Sequence, residues 1–370
     1  MHHNSSSPNE YDMNVPYRQR LTHKERNAKR RSKYIKKLIP IVFVLAVIIV
    51  GGIFLLRNRN DESKADQSKP SEDAFVNNVI PPSPSAPTPE AAPVEEEQEE
   101  TPFLHETSQT VFLDDEFPSE YVFLIDAQTG EILAEKNSYV FMNPASMTKV
   151  LTLLVAAENI EDTTGTFTMT QEISEYCFVN ECSVVGYIVG ETVPVEELFY
   201  GCILSSGADA SLALAELAAG SHEEFVKRMN EKLVELGLSD TAYFTNCVGL
   251  YDKLHGCTTA DMALIMKAAL ENEKCKEVLC TKVYYSAATE EHPEGQVLSN
   301  WFVRSVEDKD NGEVKVLGGK RGYVPQSGNC AVSYGETENG KSYICVTGNA
   351  YSQKQAIYDH AALYKEYCHS

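Results

Sequence analysis

Two kinds of hydrophobic spacing organise the chain beyond residue 120. Apolar residues that alternate or run together around turn residues predict β-hairpins at residues 121–135 and 329–347, with a further strand at 315–319. Apolar residues recurring every three or four positions predict helices at 146–159, 194–203, 208–219, 222–236, 259–270 and 352–367. Strands at both ends with helices between them indicate an α+β fold, in which an antiparallel sheet packs against a helical region.

Residues 38–56 have a different pattern, because all 19 are uncharged and most are Ile, Val or Leu. This length is sufficient to cross a hydrocarbon core as a helix. It exceeds a typical signal-peptide apolar region, and residues 57–60 offer no small-residue cleavage site. Ten Lys or Arg between residues 18 and 37 precede it, and such residues stay on the cytoplasmic side.

The N-terminal region is therefore predicted to comprise a basic cytoplasmic tail (1–37) and a transmembrane signal anchor (38–56). A cleaved signal is the alternative. This organisation predicts a single-pass protein of a bacterial cell membrane with its C-terminal domain outside the cell. The basic tail is expected to orient the anchor and to contact anionic lipids, and no nucleic-acid partner is predicted.

Residues 57–115 show neither hydrophobic period. The proline-rich stretch 81–89 is extended and stiff, and the acidic stretch 95–100 repels itself. Neither composition can bury a core, so the segment is predicted to be a disordered linker. Residues 116–370 are then the extracellular domain. Nearly all the acidic residues behind the net charge of −22 follow the membrane segment.

All ten cysteines lie in this predicted extracellular domain. Three pairs are close in sequence: Cys177 with Cys182, Cys247 with Cys257, and Cys275 with Cys280. An oxidising exterior favours disulfides and an anaerobic one favours thiols, and the sequence does not determine connectivity. Cys202 and Cys345 lie in apolar runs, as core residues do. The spacing of Cys and His matches no metal-binding motif, so neither a metal nor a cofactor is predicted.

A candidate nucleophile lies in residues 144–149. Ser146 and Lys149 are three residues apart in a predicted helix, which puts a hydroxyl and an amine on one face. A serine alcohol needs a neighbour to take its proton, and a lysine can do this when burial or a nearby cation destabilises its ammonium. Lys320, in the only K-x-G sequence of the chain, could be that cation, and Ser206 could supply a third polar group. An S-x-x-K alone would more simply be an exposed pair on an ordinary helix.

The combination resembles the serine D-alanyl-D-alanine carboxypeptidases, the low-molecular-weight penicillin-binding proteins of peptidase family S11. The likeness extends over roughly residues 118–367 and is carried by residues 121–133, 225–238, 241–250, 258–263 and 318–320. It implies a β-lactamase and transpeptidase-like fold, with the serine at the interface between the sheet and the helical region.

The resemblance also implies a role for each motif residue. Ser146 would attack the penultimate D-alanine carbonyl of a peptidoglycan stem peptide, Lys149 would accept its proton, and Ser206 would relay a proton to the departing D-alanine. The backbone N–H groups of Ser146 and Tyr323 would form the oxyanion hole. The implied substrate-binding residues are Gly207, Lys320, Arg321, Gly322 and Tyr323. β-Lactams would acylate the same serine, and no metal would be needed.

Two positions depart from the family pattern. Ala208 stands where S-x-N has asparagine, and Arg321 stands where K-T-G has threonine. Arg321 could hold the substrate carboxylate by a bidentate pair, turn outward or fill the pocket. A catalytically weak relative that binds wall peptide or a partner is therefore the alternative function. A class A β-lactamase is not favoured, because no glutamate lies between Glu235 and Glu271 to activate a deacylating water.

Overall fold

The computed structural model describes residues 103–369. The predicted cytoplasmic tail, the membrane segment 38–56 and residues 57–102 of the linker lie outside these described residues. Within the described range, no helix has both the length and the apolar composition needed to span a membrane.

A six-stranded sheet is the centre of the described domain, in the order β1-β3-β2-β10-β9-β8. Its strands are β1 (Val111–Phe112), β2 (Tyr121–Asp126), β3 (Ile132–Lys136), β8 (Lys315–Val324), β9 (Gly328–Glu336) and β10 (Ser342–Ala350). Two small two-stranded sheets are formed by β4 (Thr166–Thr168) with β5 (Thr192–Pro194), and by β6 (Val283–Tyr285) with β7 (Val297–Ser299). The prediction of a wholly antiparallel sheet is corrected at one edge. There the short β1 runs parallel to β3, because it enters from the N-terminal segment and not through a hairpin.

The helices lie on both faces of the sheet. They are α1 (Lys149–Asn159), α2 (Gln171–Val179), α3 (Val195–Leu204), α4 (Ala208–Ala219), α5 (His222–Glu235), α6 (Thr259–Glu271), α7 (Glu273–Cys280), α8 (Trp301–Glu307) and α9 (Gln353–Tyr367). A single 3-10 turn, Ala145–Thr148, precedes α1.

Alternation along the strands divides the buried side chains into two cores, since successive strand residues point to opposite faces. On β2, Phe123 and Ile125 join the larger core with α1 and α3 to α7. Val122 and Leu124 face the smaller core, which α8 and α9 cover. Helices therefore cover both faces of the sheet. The helical region of α1 to α7 lies on the face of the larger core, and α8 and α9 lie on the other face.

Both predicted hairpins are confirmed. The predicted helix 208–219 agrees with α4 at both ends, and the other five are present with one or both ends shifted by one to three residues. Helices α2, α7 and α8 were not predicted. They have seven to nine residues, fewer than three turns, and are too short to show a helical period clearly. The strand predicted at 315–319 extends to Val324, so that Lys320 to Tyr323 belong to β8.

The folded region begins earlier than the predicted boundary at residue 116. His105 forms a bridge with Glu131, and β1 pairs with β3. Gly130 has a φ of +80°, and a Cβ placed there would be 1.9 Å from the carbonyl oxygen of Phe103. Residues 103–113 therefore pack against the first hairpin, and the predicted end of the linker at 115 is wrong.

We expect Gly130→Ala to destabilise the domain more than Gly340→Ala. Both glycines have φ near +80 to +89°, but only Gly130 has backbone where a Cβ would go. Gly340→Ala should cost about 1–2 kcal/mol for the left-handed backbone. Gly130→Ala should cost roughly 1–3 kcal/mol more, because it displaces the segment at Phe103. Urea unfolding of both variants measures the difference, and equal costs would show that this segment does not pack there in solution.

Candidate active site

Ser146 and Lys149 meet where the 3-10 turn Ala145–Thr148 passes into α1. Side chains three residues apart nearly eclipse one another in 3-10 geometry. The Nζ of Lys149 accordingly lies 3.2 Å from the Oγ of Ser146. The predicted proximity is confirmed. The predicted single helix 146–159 is not, because the α-helix begins only at Lys149.

Lys149 is 1% exposed. Its Nζ donates a hydrogen bond of 2.6 Å to the carbonyl oxygen of Val248. Burial lowers the pKa of Lys149 below its ordinary value, while nearby thiols, that of Cys202 first, act in the opposite direction. Burial thus favours the uncharged amine, whose lone pair can accept a proton.

A loop at residues 246–250 supports this amine. The Oδ1 of Asn246 accepts hydrogen bonds from the backbone N–H groups of Val248, Gly249 and Leu250, at 3.2, 2.7 and 3.0 Å. Gly249 has a φ of +84°, and a Cβ there would lie 2.1 Å from the carbonyl oxygen of Ala145. Asn246 therefore holds the loop that presents the Val248 carbonyl to Lys149. The sequence analysis missed Asn246, and the likeness over 241–250 was the signal that could have indicated it.

His255 supports the same region from behind. Its Nε2 is 2.8 Å from the Oγ1 of Thr148, and its Nδ1 accepts a hydrogen bond of 3.1 Å from the backbone N–H of Thr245. Burial lowers the pKa of His255 from 6.5 to about 4. The neutral ring thus links the 3-10 turn to the loop at 246–250. His255 is thus a buried histidine that supports the turn.

Ser206 and Lys320 form a second pair. Lys320 is 2% exposed, and its Nζ donates hydrogen bonds to the Oγ of Ser206 at 2.9 Å and to the carbonyl oxygen of Arg321 at 2.8 Å. Burial, and then the charge of Lys149, lower the pKa of Lys320 well below its ordinary value. Ser206 has a φ of +56°, a strained conformation that non-glycine residues adopt mostly at functional sites.

The edge strand β8 joins the two pairs. A Cβ on Gly322 would lie 2.7 Å from the backbone nitrogen of Ser146, so β8 runs directly against the 3-10 turn. Tyr323 follows with its side chain exposed. The structure therefore brings Ser146, Lys149, Ser206, Lys320 and Gly322 into one site, with Tyr323 at its rim.

Arg321 points away from this site. Its side chain alternates with that of Lys320 along β8, and its Cζ lies 5.1 Å from the ring centroid of Trp301. It lines a small cavity together with Phe302 and Ala356 of the smaller core. Of the three arrangements considered for Arg321, the structure shows the outward one.

Asp209 lies in the first turn of α4, and its carboxylate accepts hydrogen bonds of 2.9 Å from the N–H groups of Val185 and Gly186. A Cβ on Gly207 would lie 2.6 Å from a methyl group of that Val185. Asp209 therefore fastens a loop at 183–187 over Gly207. Asp261 forms a capping box with Thr258 at the start of α6.

Among residues 103–369, no group of three or more His, Cys, Asp or Glu side chains is arranged to hold a metal ion. The ten cysteines are free thiols in this structure. Cys202 and Cys345 are fully buried, as their apolar sequence surroundings predicted.

Comparison with known proteins places this site in a family context. The sequence pattern of the family described as D-alanyl-D-alanine carboxypeptidase matches residues 107–352. The chain is 33% identical over 227 residues to D-alanyl-D-alanine carboxypeptidase DacF of Bacillus subtilis, covering 61% of this chain and 56% of that protein. It is 34% identical over 165 residues to D-alanyl-D-alanine carboxypeptidase DacA of Escherichia coli, covering 42% and 40%. The chain thus spans about half the length of these relatives.

Solved structures agree on the fold. The Streptomyces K15 DD-transpeptidase superposes with a TM-score of 0.59 at 24% identity, over 67% of this chain and 97% of that one. Penicillin-binding protein 5 from Haemophilus influenzae superposes with a TM-score of 0.60 at 25% identity, over 68% and 71%. The expected transpeptidase-like α+β fold is therefore confirmed.

We expect His255→Gln to flatten the acid limb of the stability profile. In the unfolded chain His255 takes up a proton near pH 6.5, whereas in the fold it does so only near pH 4. Its stabilising contribution is complete above pH 6.5 and is lost as the pH falls towards 4, by roughly 3 kcal/mol. Urea unfolding between these pH values measures the slope. His360, whose pKa burial lowers to about 3, remains in both proteins, so identical slopes would contradict the account.

Proposed function

This chain belongs to the D-alanyl-D-alanine carboxypeptidase family, and we propose that it is a serine D,D-carboxypeptidase that removes the terminal D-alanine from peptidoglycan stem peptides. The observation that carries the proposal is the buried amine of Lys149, 3.2 Å from the hydroxyl of Ser146. An alcohol beside an uncharged amine is the arrangement that an activated serine requires.

In the first step, the lone pair of Lys149 takes the proton of Ser146, and the Oγ of Ser146 attacks the carbonyl carbon of the penultimate D-alanine. Negative charge develops on the carbonyl oxygen. We assign the backbone N–H groups of Ser146 and Tyr323 to receive it, and the close contact between β8 and the turn that carries Ser146 supports this assignment. One such donor contributes roughly 10²–10³-fold to the rate in enzymes where it has been removed.

In the second step, the peptide C–N bond breaks and the departing amine takes a proton from Ser206, which is replaced by the proton that Lys149 received from Ser146. The Oγ of Ser206 accepts a hydrogen bond from Lys320, which keeps it oriented and favours release of its proton. The resulting acyl-enzyme is hydrolysed by water, which regenerates Ser146. β-Lactams would form the same ester with Ser146 and remain bound to it.

Substrate recognition is assigned to the edge of the sheet. Strand β8 is the outermost strand on its side, where an extended peptide can lie alongside it. Lys320 would pair with the terminal carboxylate, whose negative charge favours the ammonium form that burial alone disfavours. Gly322 lets β8 lie directly against the turn of Ser146, and Gly207 accommodates a methyl group of Val185. Tyr323 borders the entrance with its side chain exposed. Arg321 leaves the pocket open, since its guanidinium points away from it and lies on Trp301.

The alternative of a binding module without turnover has less support. It was motivated by Arg321 and Ala208, but Arg321 does not fill the site. A protein that only binds peptide also has no need for a buried lysine beside a serine, since burying such an amine costs free energy.

The cellular setting is also a proposal, and it rests on the sequence. We assign the anchoring role to residues 38–56, with the N-terminus cytoplasmic and the folded domain outside the cell beyond the linker. The domain would then act on peptidoglycan above the membrane to which it is tethered.

Ser146→Ala should abolish labelling by a fluorescent penicillin and lower release of D-alanine from a D-alanyl-D-alanine peptide by at least ~10³-fold. The substitution removes one hydroxyl and leaves the core unchanged, so its unfolding transition should match that of the parent protein. Ser205→Ala, one residue from Ser206, is the control and should keep the label. Parent protein that takes up no label, with a native unfolding transition, would favour the binding module.

Arg321→Thr should change the second-order rate of penicillin acylation by less than about 2-fold, because the guanidinium that it removes points away from the pocket and lies on Trp301. Stopped-flow acylation measures the effect. Trp301→Phe, which keeps a ring beneath the guanidinium, serves as the control, and a fall of about 10-fold or more in Arg321→Thr alone would place Arg321 in substrate recognition.

A further inference from the structure

The chain turns sharply at the end of α2, and this turn brings two cysteines together. The N–H of Cys182 donates to the carbonyl oxygen of Cys177 at 2.9 Å, and the N–H of Glu181 donates to that of Phe178 at 3.2 Å. Glu181 has a φ of +50°. These features define a Schellman motif. In this motif the two residues five positions apart that share a backbone hydrogen bond bring their side chains into contact. Here those two residues are both cysteines.

Solvent reaches the pair at Cys182, whereas Cys177 is buried behind it. Cys177 and Cys182 line a cavity of about 410 Å³ that the exposed ring of Phe178 borders. The thiol of Cys182 is partly exposed. Its hydrogen bond with Cys177 lowers the pKa of Cys182, and the same interaction raises that of Cys177. This asymmetry suits an attacking thiolate beside a resolving thiol.

The pair lies at the start of the loop at residues 183–187, which covers Gly207 next to Ser206 of the candidate active site. Directly after Cys182, the carbonyl oxygen of Ser183 accepts a hydrogen bond of 2.8 Å from the N–H of Ala208. Val185 then packs on Gly207, and its N–H donates to the carboxylate of Asp209. A covalent link between the two cysteines would therefore fix the root of the 183–187 loop.

We propose that Cys177 and Cys182 are a redox-active dithiol that small-molecule disulfides oxidise to an intramolecular disulfide. The thiolate of Cys182 attacks one sulfur of the small disulfide and expels the other half as a thiolate. Cys177 then loses its proton and attacks the Sγ of Cys182, which expels the second half. Two protein thiols are oxidised, one small disulfide is reduced to two thiols, and the reaction reverses with excess thiol. It does not depend on the proposed peptidase activity.

The chain contains a matched control. Cys275 and Cys280 have the same spacing of five residues, but both lie within the continuous helix α7. Residues five apart in an α-helix are rotated by about 140° and separated by about 7.5 Å along the axis, so these thiols cannot join without unwinding the helix. Sequence spacing is thus equal for the two pairs, and only the turn at Glu181 distinguishes them.

The experiment equilibrates the full chain with mixtures of oxidised and reduced glutathione, quenches with acid, alkylates free thiols and maps peptides by mass spectrometry. We expect a Cys177–Cys182 link that forms with increasing oxidant and disappears with excess reduced glutathione, while Cys275 and Cys280 are both alkylated. Alkylation of Cys177 and Cys182 at every ratio, or linking of both pairs alike, would overturn the proposal.

Two variants define the mechanism. Cys177→Ser should accumulate a mixed disulfide with glutathione on Cys182, because the resolving thiol is missing. Cys182→Ser should leave Cys177 unmodified, and modification at Cys177 instead would contradict the assigned order.

Hydrogen exchange measures whether the disulfide fixes the 183–187 loop. Amides of residues 182–187 should exchange several-fold more slowly in the oxidised protein, while those of α6 stay unchanged, and an unchanged loop would refute its fixation by the disulfide.

Discussion

An amine enclosed by protein and hydrogen-bonded to neutral partners is the constraint on which this site depends. Lys149 contacts a hydroxyl and a backbone carbonyl, and its ammonium form is disfavoured by the loss of water around it. Keeping such a group buried requires that the surrounding backbone be held accurately. Asn246 supplies that support by bonding three successive N–H groups of the loop beneath the lysine. The reactivity assigned to Ser146 is thus a property of packing as much as of the two side chains.

The spacing of residues along the chain correctly predicted features that depend on neighbouring residues alone, namely the Ser146–Lys149 pair, the hairpins and the longer helices. Residues three apart meet in either kind of helix, so Ser146 and Lys149 were paired correctly although the turn type was not foreseen. Alternation and helical periodicity likewise located both hairpins and the longer helices. The start of the fold was misplaced because residues 103–113 contribute only a two-residue strand, whose partner lies on the first hairpin.

Contacts between segments far apart in sequence could not be predicted from local spacing. His255 carries no periodic signal, and its role comes from a hydrogen bond to Thr148, which the fold brings beside it. Asn246 bonds N–H groups of its own loop, and its role comes from the carbonyl that this loop presents to the distant Lys149. The resemblance to a known family named Ser206 and Lys320, and the structure joins them across the cleft. Arg321 shows the limit of a motif comparison. Its position matches a substrate-facing threonine, yet strand alternation and the ring of Trp301 direct the longer side chain elsewhere.

The turn that carries Ser146 is enclosed between two glycines from remote parts of the chain. Gly249 lies against one of its carbonyls and Gly322 against one of its amides, with no room for a side chain at either place. Gly249 and Gly322 reach this turn only when the helical region and the last strands have folded against it. A nascent or partly unfolded chain leaves Lys149 hydrated and therefore protonated, and its serine is chemically inert. Under the proposed function, covalent labelling by a β-lactam would accordingly detect only fully folded molecules.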